Sequence, residues 1–318
     1  MLDYETLTLP TPFPAGNVKC YLIKNDPVTL IDCGIYSLES LKSLKEQLTC
    51  FGFKIKDIKQ ILITHAHPDH YGLASTLQLD SGAEVYIHAD EMRKAENPTL
   101  LLNRTSEYLA FYGLSEELRS QLSDHFSWEL GFVHPLEEVI EIGDAYTFTF
   151  EEAELRTILT PGHTMGHLCF YEKSSGLLFS GDTIIGNFAP SPVLEPSPIK
   201  PYFRDQSLVK YIDSLRRLKD LPLKLILPGH GGQIVDIADQ FQRVSNHHQK
   251  RKKQINNILM ERNEFTPYEI ACKLWPKFKR PIDMYLAISE VLGYIDMLSV
   301  EGEIRQEETA SGFLILRK

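Results

Sequence analysis

The sequence predicts an α/β protein, and two observations carry that expectation. Short apolar runs that read as strands alternate with stretches of helical spacing. Several of these runs also hand over to a polar residue beside glycine, the position where a layered α/β scaffold presents its chemistry. Val18 to Ile23 and Val28 to Ile31 read as strands, the second ending at Asp32-Cys33-Gly34, and Leu38 to Leu48 has helical spacing. The apolar run Ile58 to Ile63 delivers the cluster Thr64-His65-Ala66-His67-Pro68-Asp69-His70, where Pro68 argues for a loop. A helix-like pattern from Gly72 to Leu79 precedes the strand candidate Glu84 to His88.

Residues 91–131 interrupt this rhythm with helical stretches around Thr99 to Tyr112 and Glu116 to Phe126. They carry Phe111, Tyr112, Phe126 and Trp128. The insertion reads either as a lid or pocket wall or as an ordinary helical hairpin. Strand patterns return at Ala145 to Phe150, Leu155 to Leu159, His167 to Tyr171 and Gly176 to Phe179. A proline-rich loop from Phe188 to Pro201, a helix from Leu208 to Lys219 and a strand from Lys224 to Leu227 follow.

The last part differs in character. Ser245 to Met260 is polar and helical, with basic Lys250-Arg251-Lys252-Lys253. Thr266 reads as an N-cap with Pro267 at the first helical position and Glu269 closing a capping box. Pro281 to Leu298 is a longer helix. Glu303 to Glu307 can pair with Phe313 to Arg317 around a turn near Ser311-Gly312. Three helices and a hairpin outline a small winged helix-turn-helix unit. The expected division is therefore a domain over 1–245 and a linker helix with a winged-helix-like domain over 246–318.

A chain of 318 residues with 43% hydrophobic content can bury a large core. No segment approaches the roughly 18 consecutive apolar residues of a membrane span, and the N-terminal stretch lacks the pattern of a secretory signal. The five cysteines are scattered and odd in number, which fits a reducing cytoplasm. A net charge of −10 argues against a globally basic nucleic-acid surface. From Asn246 onward, however, 12 Lys/Arg stand against 10 Asp/Glu.

His65, His67, Asp69 and His70 offer four metal donors within six residues. Imidazole and carboxylate suit zinc, with iron or manganese as alternatives. Side chains so close in a tight loop diverge, so they serve two adjacent ions better than one. Each ion then needs donors from elsewhere, and the glycine-flanked His163, Asp182 and His230 can supply them. One histidine beside glycine is ordinarily a turn residue; the combination after successive strands carries the reading.

These motifs resemble the metallo-β-lactamase fold family. The likeness lies in Thr64 to His70, Thr160-Pro161-Gly162-His163, Ser180-Gly181-Asp182, Pro228-Gly229-His230-Gly231 and the Ile31-Asp32-Cys33-Gly34 turn. It runs over residues 15–235, in order and with every ligand position present. The resemblance implies a four-layer αββα sandwich. It assigns His65, His67 and His163 to a first ion, Asp69, His70 and His230 to a second, and Asp182 as a bridge. Asp32 is expected to hold the loop rather than ligate. His167 either orients a ligand, touches substrate or is packed. His88, His125, His134, His247 and His248 stay outside the site.

The implied activity is metal-dependent hydrolysis, in which two divalent ions give a bridging hydroxide near neutral pH. Asp69 is the expected catalytic carboxylate, positioning the nucleophile and shuttling a proton. The tail resembles the subgroup with a C-terminal winged helix, which includes β-lactamase-like protein 2 and bacterial hydroxyacylglutathione-hydrolase-like proteins. A small-molecule ester or thioester is the preferred substrate. A phosphodiester or single-stranded RNA is the alternative, and a metal-dependent DNA-binding regulator or sensor is a further one. Nucleic acid as a partner is not favoured, because the helix from Pro281 offers Glu290 and Asp296 rather than base-reading side chains. Its apolar stripe suits packing on the first domain or in a homodimer. Asn187, Phe188 and Tyr202 are candidate pocket residues.

Overall fold

The computed structural model describes residues 2–99, 102–186, 193–194, 204–309 and 312–317. Its first sheet holds β1 (Tyr4–Leu9), β2 (Val18–Ile23), β3 (Thr29–Ile31), β4 (Gln60–Leu62), β5 (Glu84–His88) and β6 (Ile140–Ile142) in sequence order. The first three strands are antiparallel and the rest parallel. Parallel neighbours need crossover connections. These are α1 (Leu38–Cys50), then α2 (Pro68–Tyr71) with α3 (Ala74–Ser81), then α4 (Ala89–Glu96), α5 (Leu102–Phe111) and α6 (Glu116–Glu129). The second sheet holds β7 (Thr147–Phe150), β8 (Ala153–Leu159), β9 (Leu168–Glu172), β10 (Leu177–Gly181) and β11 (Leu225–Pro228), with α7 (Ser207–Lys219) before the last.

Side-chain alternation stacks these elements into layers. Tyr21, Ile31, Leu62 and Tyr86 of the first sheet meet Phe148, Phe170, Phe179 and Leu227 of the second. On β2, Cys20 and Leu22 point the other way, into a cluster with Leu44 and Leu48 of α1 and Leu77 of α3. Behind the second sheet, Cys169, Leu178 and Ile226 pack on Leu208, Tyr211 and Leu218 of α7. The result is the helix–sheet–sheet–helix sandwich that the sequence leads one to expect. Strands covered on both faces read as unbroken apolar runs, and β9 and β10 are buried throughout.

Several elements differ from the sequence reading. Pro68 does not sit in a loop; it opens α2, where its fixed φ and missing N–H suit a first helical turn. β1, β6 and α4 have no counterpart in the expected pattern. The candidate pocket residues Asn187, Phe188 and Tyr202 lie outside the described residues.

The C-terminal part begins inside a long helix. α8 (Ile237–Leu259) starts before Ser245 and runs unbroken through the expected boundary. α9 (Pro267–Leu274) carries the expected capping box: the Glu269 carboxylate accepts from Thr266 N at 2.8 Å, and Thr266 Oγ1 accepts from Glu269 N at 3.2 Å. α10 (Pro281–Val300) follows, and a small sheet holds β12 (Glu264–Phe265), which precedes α9, then β14 (Gly312–Arg317) and β13 (Ile304–Thr309) in that spatial order. α10 is buried on nearly every face. Its Ile288, Leu292 and Ile295 share one core with Tyr211 of α7 and Tyr112. Among the described helices, none is long and apolar enough to cross a membrane.

Arg204 fastens this part to the rest. Its Nε donates to Asp296 Oδ2 at 2.9 Å, Nη2 also reaches Asp296, and Nη1 donates to the Tyr112 hydroxyl at 2.9 Å. Nη2 donates to Gln306 at 2.6 Å, and the guanidinium lies 4.8 Å from the Phe313 ring centroid. Both charged side chains are buried, so removing one strands the other without water. Asp296→Ala is therefore expected to cost about 3–5 kcal/mol, read as a lower midpoint in chemical denaturation.

His248 gives the fold an acid sensitivity. Its Nδ1 is 2.7 Å from the Tyr294 hydroxyl, and burial, helped by His247, lowers its pKa from 6.5 to about 4. The unfolded chain takes up this proton near pH 6.5 and the folded one only near pH 4, so stability falls as pH drops through that window. His248→Gln should flatten the decline by at most about 3 kcal/mol. Denaturation midpoints of both proteins between pH 7 and about pH 4 check this.

Candidate metal centre

The loops after β4, β8, β10 and β11 bring all seven expected donors to one end of the sandwich. Three overlapping sets of side-chain donor atoms lie within 4.8 Å of one another: His65, His67 and His163; His65, His70 and Asp182; Asp69, His70 and His230. His67 Nδ1 is 2.9 Å from His65 Nε2 and 3.1 Å from His163 Nε2. Asp182 Oδ2 lies 3.8 Å from His163 Nε2 and 3.7 Å from His230 Nε2, while its Oδ1 is 3.5 Å from His70 Nε2. Asp182 thus stands between the other donors.

The chemistry of these atoms fits divalent cations. His70 Nε2, His230 Nε2 and Asp182 Oδ1 are buried without any hydrogen-bond partner. Orphaned buried polar atoms are costly, and three of them among the donor sets call for a ligand. His230 Nε2 stands 3.1 Å from Asp69 Oδ2 as an ion-pair contact only. Protonation points the same way. Burial, then the neighbouring imidazoles, hold His65 well below its ordinary pKa, and burial with His163 lowers His67 to about 3. Burial opposes ionisation of Asp182, yet His70 and His230 outweigh it and keep the carboxyl low. Burial lowers His70 and His230 as well, but Asp182 and the neighbouring carboxylates outweigh it and raise both above the ordinary imidazole value. A cation would take the place of those protons, since neutral imidazoles and ionised carboxylates are the forms that bind metal.

Hydrogen bonds outside the donor set fix its orientation. Asp32 Oδ1 accepts from Thr64 N at 2.9 Å, and Oδ2 accepts from Thr64 Oγ1 at 2.9 Å and lies 2.7 Å from His70 Nδ1. It holds the loop and does not join the donor sets, as the sequence suggested. His230 Nδ1 is 3.1 Å from the Asn17 carbonyl. His167 is wholly buried: its Nε2 accepts from Asp182 N at 3.0 Å, and Nδ1 is 3.0 Å from Thr160 Oγ1 and from Thr183 Oγ1. Of the roles left open for it, orienting is the one its contacts describe.

The glycines beside the donors have a steric reason. A Cβ on Gly229 would come within 2.3 Å of Asp182 Oδ1, and one on Gly162 within 2.3 Å of Tyr211 Cβ. Sequence reasoning missed Glu91. Its fully buried carboxylate accepts from Ala66 N and Gly166 N, both at 2.9 Å, and pairs with Lys94 at 2.7 Å. It thereby ties the His65–His67 loop to the loop that carries His163. Burial raises its pKa, but Lys94 and the backbone donors bring it down to about 2. No motif marks Glu91, because its partners are backbone amides.

These sets define a metal-dependent hydrolase centre built on an α/β sandwich. Residues 13–230 match the model of the metallo-beta-lactamase superfamily, and the chain belongs to that superfamily. It is similar to a probable metallo-hydrolase, YqjP, of Bacillus subtilis, with 28% identity over 95% of this chain and 94% of that protein. An atrochrysone carboxyl ACP thioesterase of Aspergillus fumigatus is 29% identical over 38% of this chain and 35% of its own length. The crystal structure of a metallo-beta-lactamase family protein from Thermus thermophilus superposes with a TM-score of 0.84 at 26% identity. That match covers 99% of this chain and 98% of the other.

Removing the Asp32 brace tests this arrangement. Asp32→Asn should lower metal affinity about 10- to 100-fold, because the His70 ring loses its charged partner. Competition with a chromogenic chelator measures the change, and near-native circular dichroism confirms that the fold persists.

Proposed function

We propose that the protein hydrolyses an ester or thioester of a small molecule. One observation carries this reading: His67, Asp69, His163, Asp182 and His230 line a pocket of about 450 Å³ that is otherwise bounded mainly by apolar side chains. That size suits a small ligand rather than a polymer. In this reading His65, His67 and His163 would hold a first ion, Asp69, His70 and His230 would hold a second, and Asp182 would serve both. Zinc suits these N and O donors, with iron or manganese as alternatives.

When bound, the two cations lower the pKa of water and polarise the scissile carbonyl. The remaining work falls to the protein. Asp69, at the pocket surface beside His230 and His70, positions the attacking water and receives its proton on a carboxylate oxygen. Water adds to the carbonyl carbon, the carbon–sulfur or carbon–oxygen bond breaks, and Asp69 returns the proton to the departing thiol or alcohol.

Residues 246–318 form, on this reading, a winged-helix-like unit that serves the enzyme rather than nucleic acid. α10 is buried, so it offers no free recognition face. Much of the basic run is engaged internally: Arg251 bonds Glu290 at 2.7 Å and lies 4.4 Å over Trp275, and Lys252 pairs with Glu301 and Glu303. The five free cysteines suit a reducing compartment such as the cytoplasm.

A hydrolysis panel tests the proposal. Zinc- or manganese-loaded protein is offered glutathione and coenzyme A thioesters, lactones, bis-p-nitrophenyl phosphate and single-stranded RNA. Thioester turnover with inert RNA is expected, together with loss on chelation and a fall of about 10²- to 10⁴-fold in Asp69→Asn. Rapid RNA cleavage with inert thioesters overturns the reading.

A further inference from the structure

The pocket above the metal centre has a second wall that belongs to neither sheet. Phe126 of α6 and Leu130 just after it face Ile282, Tyr285 and Leu286 in the first turns of α10. The Phe126 and Tyr285 rings meet edge to face at 5.1 Å. The Tyr285 hydroxyl donates to the Leu194 carbonyl, so the ring offers the pocket an apolar surface. Leu194 N donates to Ser289 Oγ at 3.1 Å, and Val193 N donates to the His163 carbonyl at 3.3 Å. This two-residue segment therefore bonds α10 on one side and a candidate metal ligand on the other.

The lining offers little charge to a ligand. Lys94 is neutralised by the buried Glu91, and Glu129 lies 3.1 Å from His125. Burial, helped by the neighbouring Asp69, pushes the Glu129 carboxyl up to about 7. A space that starts at cation ligands and continues between apolar side chains suits a molecule with a polar reacting end and an apolar tail.

We infer that this space is an acyl-chain site, in which α6 and α10 grip an aliphatic acyl group and Tyr285 and Leu286 set its length limit. The inference rests on the ester or thioester reading and narrows it to aliphatic acyl substrates. It also makes the C-terminal unit part of the substrate site. Each methylene buried there should tighten binding about fourfold.

Binding can be read without turnover. Calorimetric titration of the zinc-loaded full chain with acetate, hexanoate and decanoate is expected to show decanoate on the order of 100-fold tighter than hexanoate. Leu286→Trp, and Leu130→Trp from the facing wall, should each weaken decanoate at least about tenfold. They should lower the decanoyl-to-acetyl ratio of kcat/KM for coenzyme A thioesters by a similar factor, with thermal midpoints confirming folding. Should either variant fail to fold, the chain-length series on the unaltered protein still decides. Equal affinity for hexanoate and decanoate, or decanoate binding indifferent to both folded variants, overturns the site. Chain-length-dependent binding without thioester turnover leaves the site standing and overturns the proposed reaction instead.

Discussion

The centre depends first on the hydrogen bonds accepted by Asp32. Its backbone takes the left-handed φ of 54°, which aspartate tolerates better than most residues. That turn sets the carboxylate beneath the loop after β4. One oxygen braces His70 directly, and both fix Thr64. Thr64 Oγ1 in turn stands 2.9 Å from His65 Nδ1. One buried carboxylate therefore orients two imidazoles that between them enter all three donor sets. Without such braces, unpaired donors in a water-poor space would swing toward hydrogen-bonding partners of their own.

The C-terminal unit extends that rigidity. α10 packs in the same core as α5 and α7, and Arg204 binds Asp296, Tyr112 and Gln306 at once. A helix buried nearly all round has no amphipathic face left for a partner. Its contribution to chemistry comes through contact, by way of Leu194 and the edge of the pocket.

The donor set was legible in the sequence because its signals are local. His65, His67, Asp69 and His70 stand within six residues, and His163, Asp182 and His230 each follow a glycine. The structure gives that glycine signal a cause at Gly229 and Gly162, where a methyl group would collide with a donor or a helix. Glu91 was hidden because backbone amides accept any sequence around them. The short β6 escaped notice because three residues show no period, and α4 because Met92 is its one large apolar side chain. The full extent of α8 was hidden by polar residues on its exposed face. The pocket wall was legible in part: the insertion that carries Phe126 read as a lid or pocket wall or as a plain hairpin, and Phe126 lines the pocket, whereas Tyr285 is far away in the chain and meets it only through the fold.

The N-terminal strands close the centre from behind. Lys19 N donates to the Gly229 carbonyl at 2.7 Å, and the Asn17 carbonyl faces His230. The segment around Lys19 is thus stitched to one made more than two hundred residues later. During synthesis the early histidine cluster emerges from the ribosome long before its last companion. Until then the loop is an open, incomplete chelate. The three donor sets exist together only once the segment that carries His230 has joined the fold.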